Sequence, residues 1–279
     1  MIIIFYLLTF LFGTAIGSFL GVIVDRMVNG ESILHGRSHC DHCKHKLSPL
    51  DLVPLFSFLL LKAKCRYCHK KLSWYYPLIE VVTGVSFVLA SYTVFQFSTT
   101  LMANVQYYFV AVYYCALLSS LIAIFFIDLR YGLIPFKLVI FALLITIFWY
   151  LLIPSLYFSS LEIQLLGLQT SFLNVFLSAL GAGLFFFLLF YFTKGRGMGF
   201  GDVVYAFLMG FTLGFPKVLL GLYIAFLTGA VISLLLIFLK KKKLKGSTIP
   251  FGPFLVLGTV ISLLWGNMLI PQILHYFGL

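Results

Sequence analysis

Gly199-Phe200-Gly201-Asp202 stands where one hydrophobic run, residues 171–192, has ended and the next, 201–216, begins, in a chain with only eight acidic residues in 279. A second carboxylate, in Ile127-Asp128-Leu129-Arg130, stands at the end of the run 105–127. A carboxylate at a membrane edge is costly to desolvate, so it needs a partner or a chemical task. Asp128 and Asp202 are therefore expected to face each other and form one site.

Composition sets the surroundings of this pair. The chain is 62% hydrophobic and 18% aromatic, with 10% charged residues, against roughly 25% charged in a soluble domain. Its apolar runs show no two-residue alternation, so they predict membrane helices and not barrel strands. The runs cover about 2–24, 74–95, 105–127, 136–157, 171–192, 201–216, 217–239 and 252–275. The expectation is an all-α integral membrane protein of about eight transmembrane helices. Residues 1–25 form a first helix retained in the protein, since no Lys or Arg precedes it. Residues 26–73 form a polar loop, and 74–279 a seven-helix membrane domain.

The net charge of +11 is explained by topology, and no nucleic-acid partner is expected. Of 19 Lys and Arg, nine lie in 26–73, two in 128–137, two in 193–200 and five in 240–250. With eight spans all four segments share one side, and only Lys217 lies opposite. The positive-inside rule places that side in the cytoplasm and both termini outside. Asp128 and Asp202 then stand at the cytoplasmic edge, in contact with the membrane lipid zone.

Two carboxylates sharing a site do not both ionise easily, and the pair holds one proton near working pH. The ionised member can take a proton from water attacking a peptide carbonyl, while the protonated member polarises that carbonyl. The pair titrates as a unit. Gly199 and Gly201 leave the backbone free to unwind or to approach a substrate strand. The bland alternatives are a helix cap for Asp202 and an ion pair with Arg130 for Asp128.

Cys40-Asp41-His42-Cys43 and Cys65-Arg66-Tyr67-Cys68 form CxxC-x21-CxxC. This is close to zinc-ribbon spacing, in which four thiolates close a structural site. Cys40, Cys43, Cys65 and Cys68 are the expected Zn(2+) ligands, with His39, His42, His45 and His69 as solvated neighbours. Glu80 lies about seven residues into the second run, where an intramembrane carboxylate is a functional candidate. Gly13, Gly17 and Gly21 form a small-xxx-small ladder suited to close helix packing. Gly195 to Gly199 does not match a dinucleotide fingerprint and follows no strand. HExxH and GxSxG are absent.

Taken together, several motifs resemble the type IV prepilin peptidases, bacterial aspartic proteases of the GxGD type. They are Gly17-Ser18-Phe19-Leu20, Arg37-Ser38-His39-Cys40, Asp51-Leu52-Val53-Pro54, Lys64-Cys65-Arg66-Tyr67-Cys68 and Tyr76-Pro77-Leu78-Ile79-Glu80. Asp128 through Ile134-Pro135, Gly199 to Asp202 and Ile249 to Pro253 complete them. Gly21 stands where the family has asparagine, Phe136 where Asp or Asn is usual, and Val203-Val204 where Val-Lys is usual. The resemblance implies cleavage of prepilin or pseudopilin leaders after a glycine at the cytoplasmic face of the inner membrane. It also implies N-methylation of the new terminus with S-adenosylmethionine. Two alternatives stay open: a metal-responsive transporter using Glu80, Asp128 and Asp202 as a cation relay, and a peptidase without methyl transfer.

Overall fold

The computed structural model describes residues 2–32, 36–40, 42–95, 105–152, 172–239 and 249–276. Eight longer helices occur among them: α1 (Ile2–Asn29), α2 (Tyr75–Phe95), α3 (Val105–Tyr131), α4 (Phe136–Leu152), α5 (Phe172–Thr193), α6 (Phe200–Leu213), α7 (Lys217–Phe238) and α8 (Gly252–Tyr276). No strand forms among the described residues beyond two isolated bridges.

Six of these helices, α1, α2, α3, α5, α7 and α8, are long and apolar enough to cross a membrane. Their outer faces carry exposed large apolar side chains such as Ile3, Phe192 and Phe238, a surface suited to lipid and not to water. This is a multi-pass membrane protein. The other two expected spans are shorter helices, of 17 residues in α4 and 14 in α6. At 1.5 Å per residue α6 is ~21 Å long, short of the ~30 Å hydrocarbon core. The end of the run 136–157 and the five lysines of 240–245 lie outside the described residues.

The chain divides into two compact units, Met1–Tyr92 and Thr93–Leu279. The polarity of the sequence marks boundaries at 25/26 and 73/74, whereas the boundary between packed units falls near the end of α2. In the N-terminal unit α1 and α2 pack through their glycines. A Cβ on Gly13 would lie 2.8 Å from the Gly84 Cα, and one on Gly17 would lie 2.7 Å from the Glu80 Cα. Any larger residue would push the helices apart. Gly21 differs, because a Cβ there meets only Tyr76 and Ile79 side chains, at 3.7 and 3.8 Å.

In the C-terminal unit α6 lies at the centre, with ten of its residues buried, packed mainly against α5 and also against α4, α7 and α8. This explains its uniformly apolar sequence. Gly210 rests on the backbone of Ser178 and Ala179 in α5, and Gly258 of α8 on the backbone of Gly221 in α7. Buried Tyr205 of α6 donates to Thr259 Oγ1 of α8 at 3.0 Å. The C-terminal end of α3 and the N-terminal ends of α6 and α8 meet at one end of this unit.

Candidate active site and metal centre

Asp128 lies in the last turn of α3 and Asp202 in the first turn of α6. Both are buried, at 4% and 8% relative exposure, and the carboxylates are close enough to interact electrostatically. Each receives a backbone N–H from a helix start. Gly199 N donates to Asp202 Oδ2 at 3.1 Å, and the Gly252 amide donates to the Asp128 carboxylate. Helix N-termini favour negative charge, so two helix starts flank the pair. Neither aspartate forms an ion pair among the described residues, and Asp128 Oδ2 is buried without a hydrogen-bond partner among them. Arg130 instead lies over the Tyr131 ring at 5.2 Å.

Asp202 does cap α6 through Gly199, but that engages only one of its oxygens in the hydrogen bonds seen here. Burying a second carboxylate beside it, with an oxygen left bare, is an arrangement that packing alone does not favour.

The glycines and the turn after Asp128 have specific packing reasons. Pro135 precedes α4 and supplies no N–H to the helix start. Ile134, one residue earlier, packs between the two other site segments. A Cβ on Gly201 would meet the Ile134 Cβ at 3.0 Å, and one on Gly252 would meet the Ile134 Cδ1 at 3.1 Å. Gly201 is part of helix α6 and is not unwound; its missing side chain makes room for Ile134. Gly252 lies against Asp128, and Phe251 packs on Phe186 and Phe226 of α5 and α7.

The four loop cysteines converge in the N-terminal unit. Their Sγ atoms all lie within 4.8 Å of one another, with Cys40 and Cys68 at 3.9 Å. A tetrahedral zinc site with Zn–S bonds near 2.3 Å requires S···S separations of about 3.8 Å, so the cluster fits a metal ion. Burial opposes the Cys40 thiolate, but the Cys43 and His42 amides and the neighbouring Cys65 and Cys43 thiols outweigh it and bring its pKa to about 7. A thiol so disposed gives up its proton readily to a metal. The four nearby histidines are exposed and belong to no metal cluster among the described residues.

The cluster is built from two copies of one knuckle, a repeat not recognised in the sequence reading. Cys40 N donates to His45 O and Lys44 N to Cys40 O; 25 residues later Cys65 N donates to Lys70 O and His69 N to Cys65 O. Lys44 and His69 both hold φ of 56°, and the bridges His39–Lys46 and Lys64–Lys71 close the two turns. The signal was present in Cys43-Lys44-His45-Lys46-Leu47 and Cys68-His69-Lys70-Lys71-Leu72, in which a cysteine is followed by three basic residues and a leucine.

Asp51 ties the second knuckle to the segment between the pairs. It accepts from Ser48 N at 3.0 Å, Ser48 Oγ at 2.8 Å and Tyr67 Oη at 3.2 Å, and pairs with Arg66 Nε at 2.6 Å. The apolar stretch 51–61, too short to span, forms a 3-10 turn over Pro49–Leu52 and a one-turn helix over Phe56–Leu60. Glu80 is buried in the N-terminal unit, where its Oε2 accepts the Leu55 N–H at 2.8 Å.

Residues 11–94 match the family model described as bacterial peptidase A24 N-terminal domain, and residues 115–234 match the type IV leader peptidase family. A prepilin leader peptidase/N-methyltransferase of Bacillus subtilis (strain 168) is 30% identical over 261 residues, covering 94% of this chain and 94% of that protein. Proteins of the same name from Pseudomonas aeruginosa and Aeromonas hydrophila are 28% identical over 300 residues and 29% over 291. These two alignments cover 98% and 94% of this chain, and 95% and 91% of those proteins. No solved structure shows a significant match to the chain. With relatives aligned along nearly its whole length, the chain belongs to the type IV leader peptidase family, a family of proteases.

Proposed function

We propose that this enzyme cleaves the leaders of type IV prepilins or pseudopilins after a glycine, with Asp128 and Asp202 as the catalytic pair. The single observation that carries the reading is the pairing of two buried carboxylates, each fed by one glycine amide. One proton is shared between them. The ionised member accepts a proton from the attacking water, and the protonated member donates to the carbonyl oxygen and then to the leaving amine. The Gly199 and Gly252 amides hold the carboxylates in place, and Gly201 and Ile134 keep the two helix ends in contact.

The active site faces the cytoplasm of a bacterial inner membrane, with α4 and α6 as thinned spans in an eight-span topology. The partners are prepilins with a single apolar helix, and lipid. In this reading residues 1–25 anchor the chain, 26–73 carry the metal loop, and 74–279 carry cleavage. Zinc bound by Cys40, Cys43, Cys65 and Cys68 is structural, since four thiolates leave no open position. It stabilises a loop too small to fold on its own core.

The relatives' shared name extends the proposal to N-methylation of the newly exposed amine. S-adenosylmethionine supplies the methyl group as an electrophilic carbon on a sulfonium. The test mixes the purified protein in liposomes with a pilin-like peptide carrying a basic leader, a Gly–Phe junction and an apolar helix. The expected products are the cleaved peptide and, with the donor present, a species ~14 Da heavier. An intact peptide across several leaders, with folded and metal-loaded protein, contradicts the reading.

A further inference from the structure

A groove of about 870 Å³ runs between α5 and α7 in the C-terminal unit. Ser178, Gly181 and Ala182 of α5 and Val218, Leu219 and Leu222 of α7 line it. We propose that this groove receives the apolar helix of the substrate, one face of it sunk between α5 and α7 and its N-terminal end level with the catalytic pair. The inference rests on the cleavage reading above and adds to it the place where the substrate helix lies.

Packing accounts for the groove. α5 packs chiefly on α6, and α7 chiefly on α8, so a space between α5 and α7 stays open while its two ends are closed. At one end Asn174 clamps the turn before α7. Its Nδ2 donates to Phe215 O at 3.1 Å, and its Oδ1 accepts the Phe215 N–H at 2.7 Å and the Ser178 hydroxyl at 3.2 Å. At the other end the rings of Phe185 and Phe226 meet edge-on at 6.4 Å. The polar atoms at the rim are satisfied within the chain, and what remains open is apolar. Gly181 shows that the chain does not fill this space itself. A Cβ there meets nothing within 4 Å, whereas Gly183 is explained by Phe207 and Gly210 by the α5 backbone. Small residues on an open face let a second helix come close within a membrane.

The dimensions suit a helix. From Asn174 to Phe185 the groove is ~17 Å long at 1.5 Å per residue. Its volume over that length gives a mean section of about 50 Å², against roughly 80–110 Å² for a helix 10–12 Å across. About half the thickness of a helix therefore sinks in, as when a helix lays one apolar face into a groove. The other half stays in lipid.

Continuity with the candidate active site selects the substrate as the occupant. Phe226 packs on Phe251 at 5.2 Å, and Phe251 precedes Gly252, whose amide donates to the Asp128 carboxylate. The depth agrees. α5 and α6 run antiparallel, with Gly183 against Phe207 and Ala179 against Gly210. By that register Asp202 stands level with Leu188, three residues past Phe185 and ~5 Å further along the axis. An extended chain covers ~3.3–3.6 Å per residue, so about two residues take the start of a seated helix to the depth of the aspartates. A lipid chain can also enter an apolar groove, but nothing ties its position to the depth of Asp202.

The experiment compares two peptides in liposomes. One carries the basic leader, the Gly–Phe junction and the apolar helix, and the other stops after the junction. The enzymes are wild type, Gly181→Trp, whose ring enters the groove from a position with open space around it, and Leu144→Trp on the exposed face of α4. A thermal melt reports on folding. The proposal expects Gly181→Trp to lower kcat/KM by at least about tenfold on the helix-bearing peptide and by less than about threefold on the short one. Leu144→Trp stays near wild type on both. Folded Gly181→Trp that cleaves the helix-bearing peptide like wild type overturns the proposal, as does an equal loss on both peptides. Independently of any variant, wild type is photocrosslinked to a peptide with a photoreactive group in its helix, and the adducts are mapped. Label within 173–185 or 215–226 supports the groove, and label confined to other helices or to lipid overturns it. Wild type that cleaves neither peptide but crosslinks in the groove removes the cleavage reading and leaves the docking.

Discussion

Gly252→Ala adds one methyl group to the chain and removes no functional group, yet it is expected to disable cleavage. A Cβ at this position lies 2.5 Å from Asp128 Oδ2, 3.0 Å from its Cγ and 3.1 Å from the Ile134 Cδ1. Ordinary contact begins near 3.4 Å, so the carboxylate must retreat by about 1 Å, taking it out of register with Asp202. Gly252 is not among the left-handed glycines, so the penalty is steric and local. Misplacing a reacting group by ~1 Å costs ~100-fold in rate, which is about 2.7 kcal/mol of barrier. The assay is the initial rate of peptide cleavage in liposomes, read beside a thermal melt. A Gly252→Ala enzyme cleaving within about threefold of wild type refutes the placement of Asp128 in the reacting pair.

Gly17→Leu drives a side chain into the Glu80 backbone and is expected to destabilise the α1–α2 pair by ~1–3 kcal/mol, read as a lowered melting temperature, whereas Gly21→Ala leaves it unchanged. Cys65→Ser leaves three ligands and lowers metal content to a small fraction of one equivalent per chain, measured by elemental analysis. Asp51 also predicts a pH dependence. Burial raises its pKa, but the Ser48 N–H and hydroxyl, the Arg66 charge and the Tyr67 hydroxyl outweigh this and hold it below the usual 3.8. A depressed folded value stabilises above the unfolded pKa and is lost as pH falls through the folded one. Asp51→Asn is therefore expected to cost the loop about 1–2 kcal/mol at pH 7, with the gap to wild type in limited proteolysis narrowing only below about pH 4.

Much of this was legible because charge is so scarce in the sequence. A carboxylate at the end of an apolar run stands out, and two of them marked Asp128 and Asp202 before any geometry was known. CxxC spacing did the same for the metal loop. What stayed hidden was contact across helices. No local pattern makes Ile134 the side chain packed between Gly201 and Gly252, since an isoleucine before Pro135 reads simply as a turn. Gly252 had no sequence reason to donate to Asp128, because an amide carries no residue-type signal. The ladder Gly13, Gly17, Gly21 reads as uniform, yet only the first two glycines touch backbone, because α1 and α2 are in close contact along only part of their length. The central place of α6 in the bundle was not legible either. Its apolar character comes from burial inside the bundle as much as from the membrane, and the two leave the same mark on sequence.

The central claim is that Asp128 and Asp202 act as one unit. The most direct measurement is single-turnover cleavage of the pilin-like peptide by wild type, Asp128→Asn, Asp202→Asn and the double variant, with metal content and melting checked in each. The account predicts that either single change lowers the rate by at least ~1,000-fold and that the double variant is no slower than the slower single, as expected for groups that act together. A single variant that still cleaves at a near-normal rate, or losses that simply multiply in the double variant, contradicts it.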